Sequence, residues 1–288
     1  MAVALPETEA RPKRGFARFA RRNPTIVTGA VLLLFMALVA LFAPLIAGDP
    51  LAITPINRLQ APSSEWWFGT DHLGRDVFAR TVYGARVSLI VGLSVAIAAV
   101  VLGLVIGLLA GYYRGLDAVI MRVMDGLMAI PAILLAIALV ALTRGGVLVV
   151  IIAITIPEVP RVVRLVRAVV LTAREQAYVE AAVATASSGL KILLRHILPN
   201  TVAPLIVQAT YICASAILIE SALSFLGAGV PPEIPTWGNM IASSRLFLQM
   251  APWTVLFPGI SLALVVLAIN LVGDGLRDRL DPRLARRM

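Results

Sequence analysis

The sequence predicts an all-α polytopic membrane protein with six transmembrane helices and both termini in the cytoplasm. Three observations carry this. Apolar residues fill 59% of the 288 positions and charged residues only 14%, against about 45–50% and about 25% in a soluble domain. The apolar residues gather in long uncharged runs, as membrane spans require. The basic residues fall in short clusters beside those runs, a pattern that sets membrane orientation rather than a face for nucleic acid. The formal charge of +9 is therefore read as topology, and no nucleic-acid partner is expected.

Each span needs about 20 residues to cross about 30 Å of hydrocarbon. Residues 1–24 form a cytoplasmic segment, with six Lys or Arg between positions 11 and 22. The uncharged run 25–47 is longer than the roughly 7–15 residues of a cleavable signal core, so it reads as an uncleaved first helix. Residues 48–85 make an external segment, and a core of five further helices occupies 86–275. The second helix is expected over 87–112 and the third over 118–143, with Arg122 and Asp125 spaced to pair at its cytoplasmic edge.

The fourth helix, 147–169, is the hardest to justify. Its uncharged stretch from Val147 to Pro157 spans only about 16 Å at 1.5 Å per residue. To cross, it must run on through Glu158, Arg161 and Arg164. Glu158 and Arg161 are three apart and suited to pair, while Arg164 and Arg167 can snorkel towards the interface. Pro157 and Pro160 would bend the helix. A re-entrant segment is the competing reading. Helices at 201–226 and 253–273 are unambiguous apolar runs, and residues 276–288 form a charged cytoplasmic tail.

With both termini inside, 19 of the Lys and Arg residues face the cytoplasm and six lie outside, as the positive-inside rule requires. Two external segments are too long for simple turns. Residues 48–86 carry Trp66, Trp67 and the polar stretch from Gly69 to Asp76; residues 227–252 carry Pro231, Pro232, Pro235 and Trp237. The single cysteine, Cys213, cannot form a disulfide within the chain.

The most informative stretch lies in the cytoplasmic segment 172–200. Glu180-Ala181-Ala182 is followed after a fixed interval by Ile197-Leu198-Pro199. Ala181, Ala182, Ala184 and Ala186 make a slim helical surface suited to close approach by a partner, and Glu180 near a helix start is favoured by the dipole. Gly189 is expected to break that helix. Ile192, Leu193, Ile197 and Leu198 offer an apolar face for the return to the bilayer, and Pro199 sits where a helix start tolerates its missing N–H. The bland alternative is an interfacial amphipathic helix without a partner.

This stretch resembles the EAA loop of bacterial ABC importer permeases, the element that docks on a separate ATPase. One departure is Ala186, where the family's loop carries Gly. Phe68-Gly69-Thr70-Asp71-His72-Leu73-Gly74-Arg75-Asp76-Val77 and Gly84-Ala85-Arg86-Val87-Ser88-Leu89 resemble the C-type subunit of the dipeptide/oligopeptide/nickel branch. So do Arg122-Val123-Met124-Asp125 with Ile130-Pro131, Arg174 through Val179, Glu220 through Gly227, and Pro235-Thr236-Trp237-Gly238. The likeness covers residues 25–283. It implies a type I ABC importer permease fold in the bacterial inner membrane. It also implies a heterodimer with a B-type permease subunit, two ATPase subunits that bind the ATP and magnesium, and an external substrate-binding protein. The chain itself then needs no cofactor, and its contacts with the ATPase would be Glu180, Ala181, Ala182, Ala186, Gly189, Ile197, Leu198 and Pro199.

Other residues admit two readings. Glu220 is an acid well inside the fifth helix, where a charge costs about 2.5–3.5 kcal/mol on translocon scales. It either hydrogen-bonds a neighbouring helix near the outer surface or lines the translocation path, and Arg161 and Arg164 carry the same two readings. Gly103, Gly107 and Gly111 recur every four residues and suit close helix packing, within the chain or at a dimer seam. His72 with Asp71 and Asp76 is too sparse for a metal site, and hydrogen bonds that shape the loop are expected instead. His196 beside the coupling segment reads as a cap or a headgroup contact.

No G-x-x-x-x-G-K-[ST] run occurs, so no phosphate-cradling loop is expected, and no H-E-x-x-H or nucleophile elbow appears. The chain is thus expected to be a transport subunit and not an enzyme. It would form half of an ATP-driven path for di- or oligopeptides. Nickel or glutathione import within the same family is an alternative, and a channel without an ATPase is the rival from another class.

Overall fold

The computed structural model describes residues 20, 21, 23–143 and 145–280. The basic cluster before residue 20, Arg144, and the end after residue 280 lie outside the described residues. Regular structure among those described is helical, apart from one isolated antiparallel bridge between Thr70 and Asp76.

Helix α1 (Pro24–Leu41) opens on a proline in its first turn, where the missing N–H costs nothing. It breaks at Phe42, and a single turn, α2 (Ala43–Ile46), finishes the run expected as one helix over 25–47. Helix α3 (Val77–Tyr112) begins ten residues earlier than the sequence suggested, because the Asp76 carboxylate accepts a 2.8 Å hydrogen bond from the N–H of Phe78. Arg80 and Arg86 therefore ride on this helix rather than in a loop.

The third predicted span is not one helix. Helix α4 (Arg114–Met128) and helix α5 (Ala132–Ala141) meet at 84° across Ala129-Ile130-Pro131. Pro131 explains the break: it disfavours helical backbone at Ile130 and has no N–H to give. Helix α6 (Val147–Arg174) does run unbroken through Pro157, Glu158, Pro160 and Arg161. Short helices α7 (Ala177–Ala184) and α8 (Gly189–Ile192) follow, and a π-helical turn over Leu193–Ile197 feeds directly into α9 (Leu198–Phe225). That widened turn precedes Pro199, whose ring would crowd an ordinary α-helical carbonyl four residues back. Helix α10 (Trp237–Ser244) lies in the outer segment, and α11 (Trp253–Leu280) runs seven residues beyond its expected end.

By length and composition four helical stretches can cross a membrane: Pro24–Leu41, Val77–Tyr112, Gly189–Phe225 and Trp253–Leu280. The bent α4–α5 pair makes a fifth if its two helices form one span. Helix α6 is long enough, at about 42 Å, but carries Glu158, Arg161 and Arg164 in its middle.

Packing explains the order of helices. The glycine row of α3 is a seam within the chain: Gly103, Gly107 and Gly111 face Val162, Val166 and Val170 of α6. A Cβ at Gly107 would lie 2.7 Å from the Val166 Cβ, and one at Gly111 would lie 2.6 Å from the Val170 Cβ. Two rows at the same four-residue spacing interlock, so backbone replaces side chain at the contact. Helix α9 covers both α3 and α6, and α11 ties α9 to α1. One buried core joins α3, α5, α6, α7 and α9, and a second joins α1, α3, α9, α10 and α11.

Candidate coupling and translocation surfaces

Helix α7 presents two faces. Val179 and Ala182 are buried against the first core, whereas Tyr178, Glu180, Ala181, Val183 and Ala184 are exposed. The hairpin is held by Ile192, Leu193 and Ile197, all buried, with Leu198 packed beside them. The apolar face expected to re-enter lipid therefore packs largely on the protein. Glu180, Ala186 and Pro199 stay exposed. Asn200 ties the far end back, donating 3.1 Å to the Tyr178 hydroxyl and 2.7 Å to the His196 carbonyl.

Ala186 rather than Gly189 ends the helix. It adopts φ = 54°. Its N–H donates to the Val183 carbonyl at 2.9 Å, and that of Ser187 donates to the Ala182 carbonyl at 3.1 Å. This is the paired closure that normally carries glycine in the left-handed position. Alanine does not keep the turn helical: the closing hydrogen bonds outweigh about 1–2 kcal/mol of left-handed strain. Gly189 starts the next helix instead of stopping this one. Its bare α-carbon admits the Tyr112 ring, to which a Cβ would come within 3.0 Å.

The C-terminal end of α6 is bolted to that of α3. Arg174 donates 3.0 Å bonds to the carbonyls of both Gly111 and Tyr112, two of the acceptors a helix end leaves open. Its guanidinium also lies 5.6 Å from the centre of the Tyr112 ring. Helix α4 is clipped to α6 by Asp117, which accepts bonds of 2.5 and 2.6 Å from Arg167, and by Asp125, which accepts 2.7 Å from Arg164. The expected Arg122–Asp125 pair is thereby replaced: the bend at Pro131 lays α4 beside α6, and the nearer arginine takes the carboxylate. Sequence reading missed both clips, for which the eight-residue spacing of Asp117 and Asp125 on α4 was the available signal.

Further along α6, Arg161 donates through Nη1 to both carboxylate oxygens of Glu158, at 2.9 and 3.1 Å. Glu158 is fully buried while the arginine side chain is 40% exposed. Glu220 on α9 is also fully buried. It accepts 2.8 Å from Ser224 and 3.5 Å from Ser221. The hydroxyls of Thr236 and Ser88 also lie against it, although Ser88 Oγ has no well-aligned bond. The acid thus links α9, α3 and the segment before α10.

The segment between α2 and α3 is built on Asp71, which accepts bonds from the N–H of Leu73 (2.8 Å), the N–H of Arg75 (3.0 Å) and Arg75 Nε (2.6 Å). Gly74, at φ = 76°, closes this turn against Thr54. His72 stacks on Phe247 with ring centres 5.3 Å apart. Burial chiefly, with the cations Arg75, Arg58 and Arg80, holds its pKa below 6.5 against the opposing pull of Asp71. Burial also raises the Asp76 carboxyl above its ordinary value, opposed by the backbone N–H groups of Phe78 and Ala79. Two indoles lock the segment down: Trp253 Nε1 donates to the Thr70 carbonyl (3.2 Å) and Trp237 Nε1 to that of Thr81 (3.0 Å).

The pattern of binding-protein-dependent transport system inner membrane components matches residues 99–286. That of the N-terminal TM domain of oligopeptide transport permease C matches residues 13–62. The chain belongs to this family of importer permeases, in its C-type branch. A probable peptide ABC transporter permease of Sinorhizobium fredii is 60% identical over 270 residues, covering 94% of this permease and 93% of the relative. The dipeptide transport system permease of Alkalihalophilus pseudofirmus is 48% identical, covering 96% and 92%. The glutathione transport system permease of Escherichia coli is 42% identical, covering 99% and 95%. A chain of the inward-facing MetNI methionine ABC transporter superposes with a TM-score of 0.57 at 18% identity, over 70% of this permease and 96% of that chain. That likeness is one of fold. Family membership makes the chain a transport subunit of the bacterial inner membrane, coupled to an ATPase, and removes the stand-alone channel as a reading.

Proposed function

We propose that this permease forms half of the translocation path for short peptides, paired with a B-type subunit. It would be driven by two ATPase subunits that bind the ATP and magnesium, and fed by an external binding protein. Six spans are proposed, with α6 as the sixth and both termini in the cytoplasm. With Arg161 and Arg164 set aside as mid-helix, 17 basic residues (19 less two) against six support that orientation. The supporting observation for coupling is α7, anchored by Val179 and Ala182 while Glu180, Ala181 and Ala186 stay exposed. A rigid, slim, solvent-facing helix at the end of α6 is what a partner's cleft can grip. ATP-driven closure of the ATPase pair would then move α7 and open the helices outward, and hydrolysis would reset them.

Peptides are proposed as cargo because relatives at 60% and 48% identity are named for peptide and dipeptide transport. Glutathione is the second reading, since a relative at 42% identity is named for it; it too is a peptide-like acid. Mass spectrometry of the ligand carried by the cognate binding protein decides between them. For the coupling role, the Glu180→Lys and Ala181→Asp variants should insert normally yet lose at least tenfold of the ATPase stimulation by loaded binding protein. Undiminished stimulation in both would remove α7 from the coupling surface.

A further inference from the structure

We propose that Arg161 is a cargo-binding residue that takes the free carboxylate of the transported molecule. The inference rests on the peptide reading above and adds the chemistry of one contact. Arg161 is the fifteenth of 28 residues in α6, about 20 Å from either end. Its neighbours on one side, Val162 and Val163, are buried in the seam with α3, whereas Arg161 and Arg164 are exposed on the opposite side. Arg164 is occupied by Asp125 of α4. Arg161 is not occupied in the same way.

Its guanidinium uses Nη1 alone to satisfy both oxygens of Glu158. The edge formed by Nε and Nη2 makes no hydrogen bond among the described residues. That edge is the fork matching a carboxylate in two parallel bonds. A buried glutamate thus fixes the arginine's orientation and leaves its most selective edge pointing outward. Such a group at mid-helix is costly against lipid, so it belongs on water or protein.

Room lies next to it. Leu165, one turn further along α6, lines an open cavity of about 450 Å³ between α6, α9 and α11, whose wall also includes Gln208, Thr210, Asn270, Asp274 and Arg277. Arg161 stands one turn from this cavity rather than in its wall. Ligand sites of a few hundred Å³ with a few polar groups hold small molecules. The arginine would anchor the acid end at the cavity's approach while the mixed amide and charged wall receives the rest of the peptide.

The test uses the complete importer in proteoliposomes, with binding protein saturated by a dipeptide or by its C-terminal amide. Wild type should move the acid at least ten times faster than the amide. Arg161→Gln should lower the acid-to-amide uptake ratio about tenfold. Because Arg161→Gln leaves Glu158 unpaired, Glu158→Gln/Arg161→Gln supplies a neutral pair that should show the same loss of preference. Arg161→Lys should recover only part of it, as an ammonium lacks the fork. An unchanged acid-to-amide ratio in the double variant overturns the proposal and leaves the peptide reading standing. If wild type moves neither compound, both fall together.

Discussion

Gly107 of α3 and Val166 of α6 meet with no side chain between them: a Cβ on the glycine would stand 2.7 Å from the valine Cβ. The same relation repeats one turn either way, so α3 and α6 are zipped at fixed register. Gly107→Ala should therefore cost about 1–3 kcal/mol by overpacking. Gly259→Ala on α11, where nothing lies within 4 Å, should be neutral or stabilising by up to about 1 kcal/mol. Thermal unfolding of both variants in one detergent makes the comparison.

Ala186 holds a left-handed backbone without being glycine. Ala186→Gly should relieve about 1–2 kcal/mol of strain and lose about 0.4–1 kcal/mol through a looser unfolded chain. The net is a modest gain confined to the end of α7. Amide exchange should slow at Ala186 and Ser187, whose N–H groups make the closing bonds, and stay unchanged in α9.

The two-bond clip between Asp117 and Arg167 joins partly exposed side chains, so about 1 kcal/mol is expected from it. Asp117→Arg should destabilise the protein by setting two cations together. The exchange Asp117→Arg/Arg167→Asp should recover at least half of the loss in a thermal melt. Failure of the exchange to rescue would mean that Asp117 acts by some contact other than this pair.

His72 should make the segment between α2 and α3 acid-sensitive. Its folded pKa lies below 6.5, so below pH 6.5 the unfolded chain binds a proton that the folded one refuses. Stability is then full above pH 6.5 and falls as pH drops through the folded value. His72→Gln should flatten that acid limb. Indole fluorescence is a suitable probe, because Trp253 bonds the Thr70 carbonyl two residues from His72.

Runs of uncharged residues were enough to locate α1, α9 and α11, because a membrane span declares itself by length alone. Glu158 and Arg161 were also legible: three-residue spacing on one helix places partners side by side. What composition cannot express is direction. The apolar run from Gly126 to Thr143 reads as continuous although Pro131 turns it by 84°, and that turn decides which arginine Asp125 meets. The start of α3 was hidden in a polar stretch whose last residue, Asp76, is the helix cap. In the segment 172–200 the motif marked a helix with an exposed face, but the backbone sign at Ala186 depends on bonds to Val183 and Ala182 that no pattern of alanines reveals.

Two tryptophan indoles, from Trp237 and Trp253, pin the carbonyls of Thr81 and Thr70 across more than 150 positions of sequence. This end of the permease is consequently not a set of free flaps. Any outward gape that preserves those two pins must swing the ends of α3, α10 and α11 as one block, pivoting against whatever neighbour stands opposite.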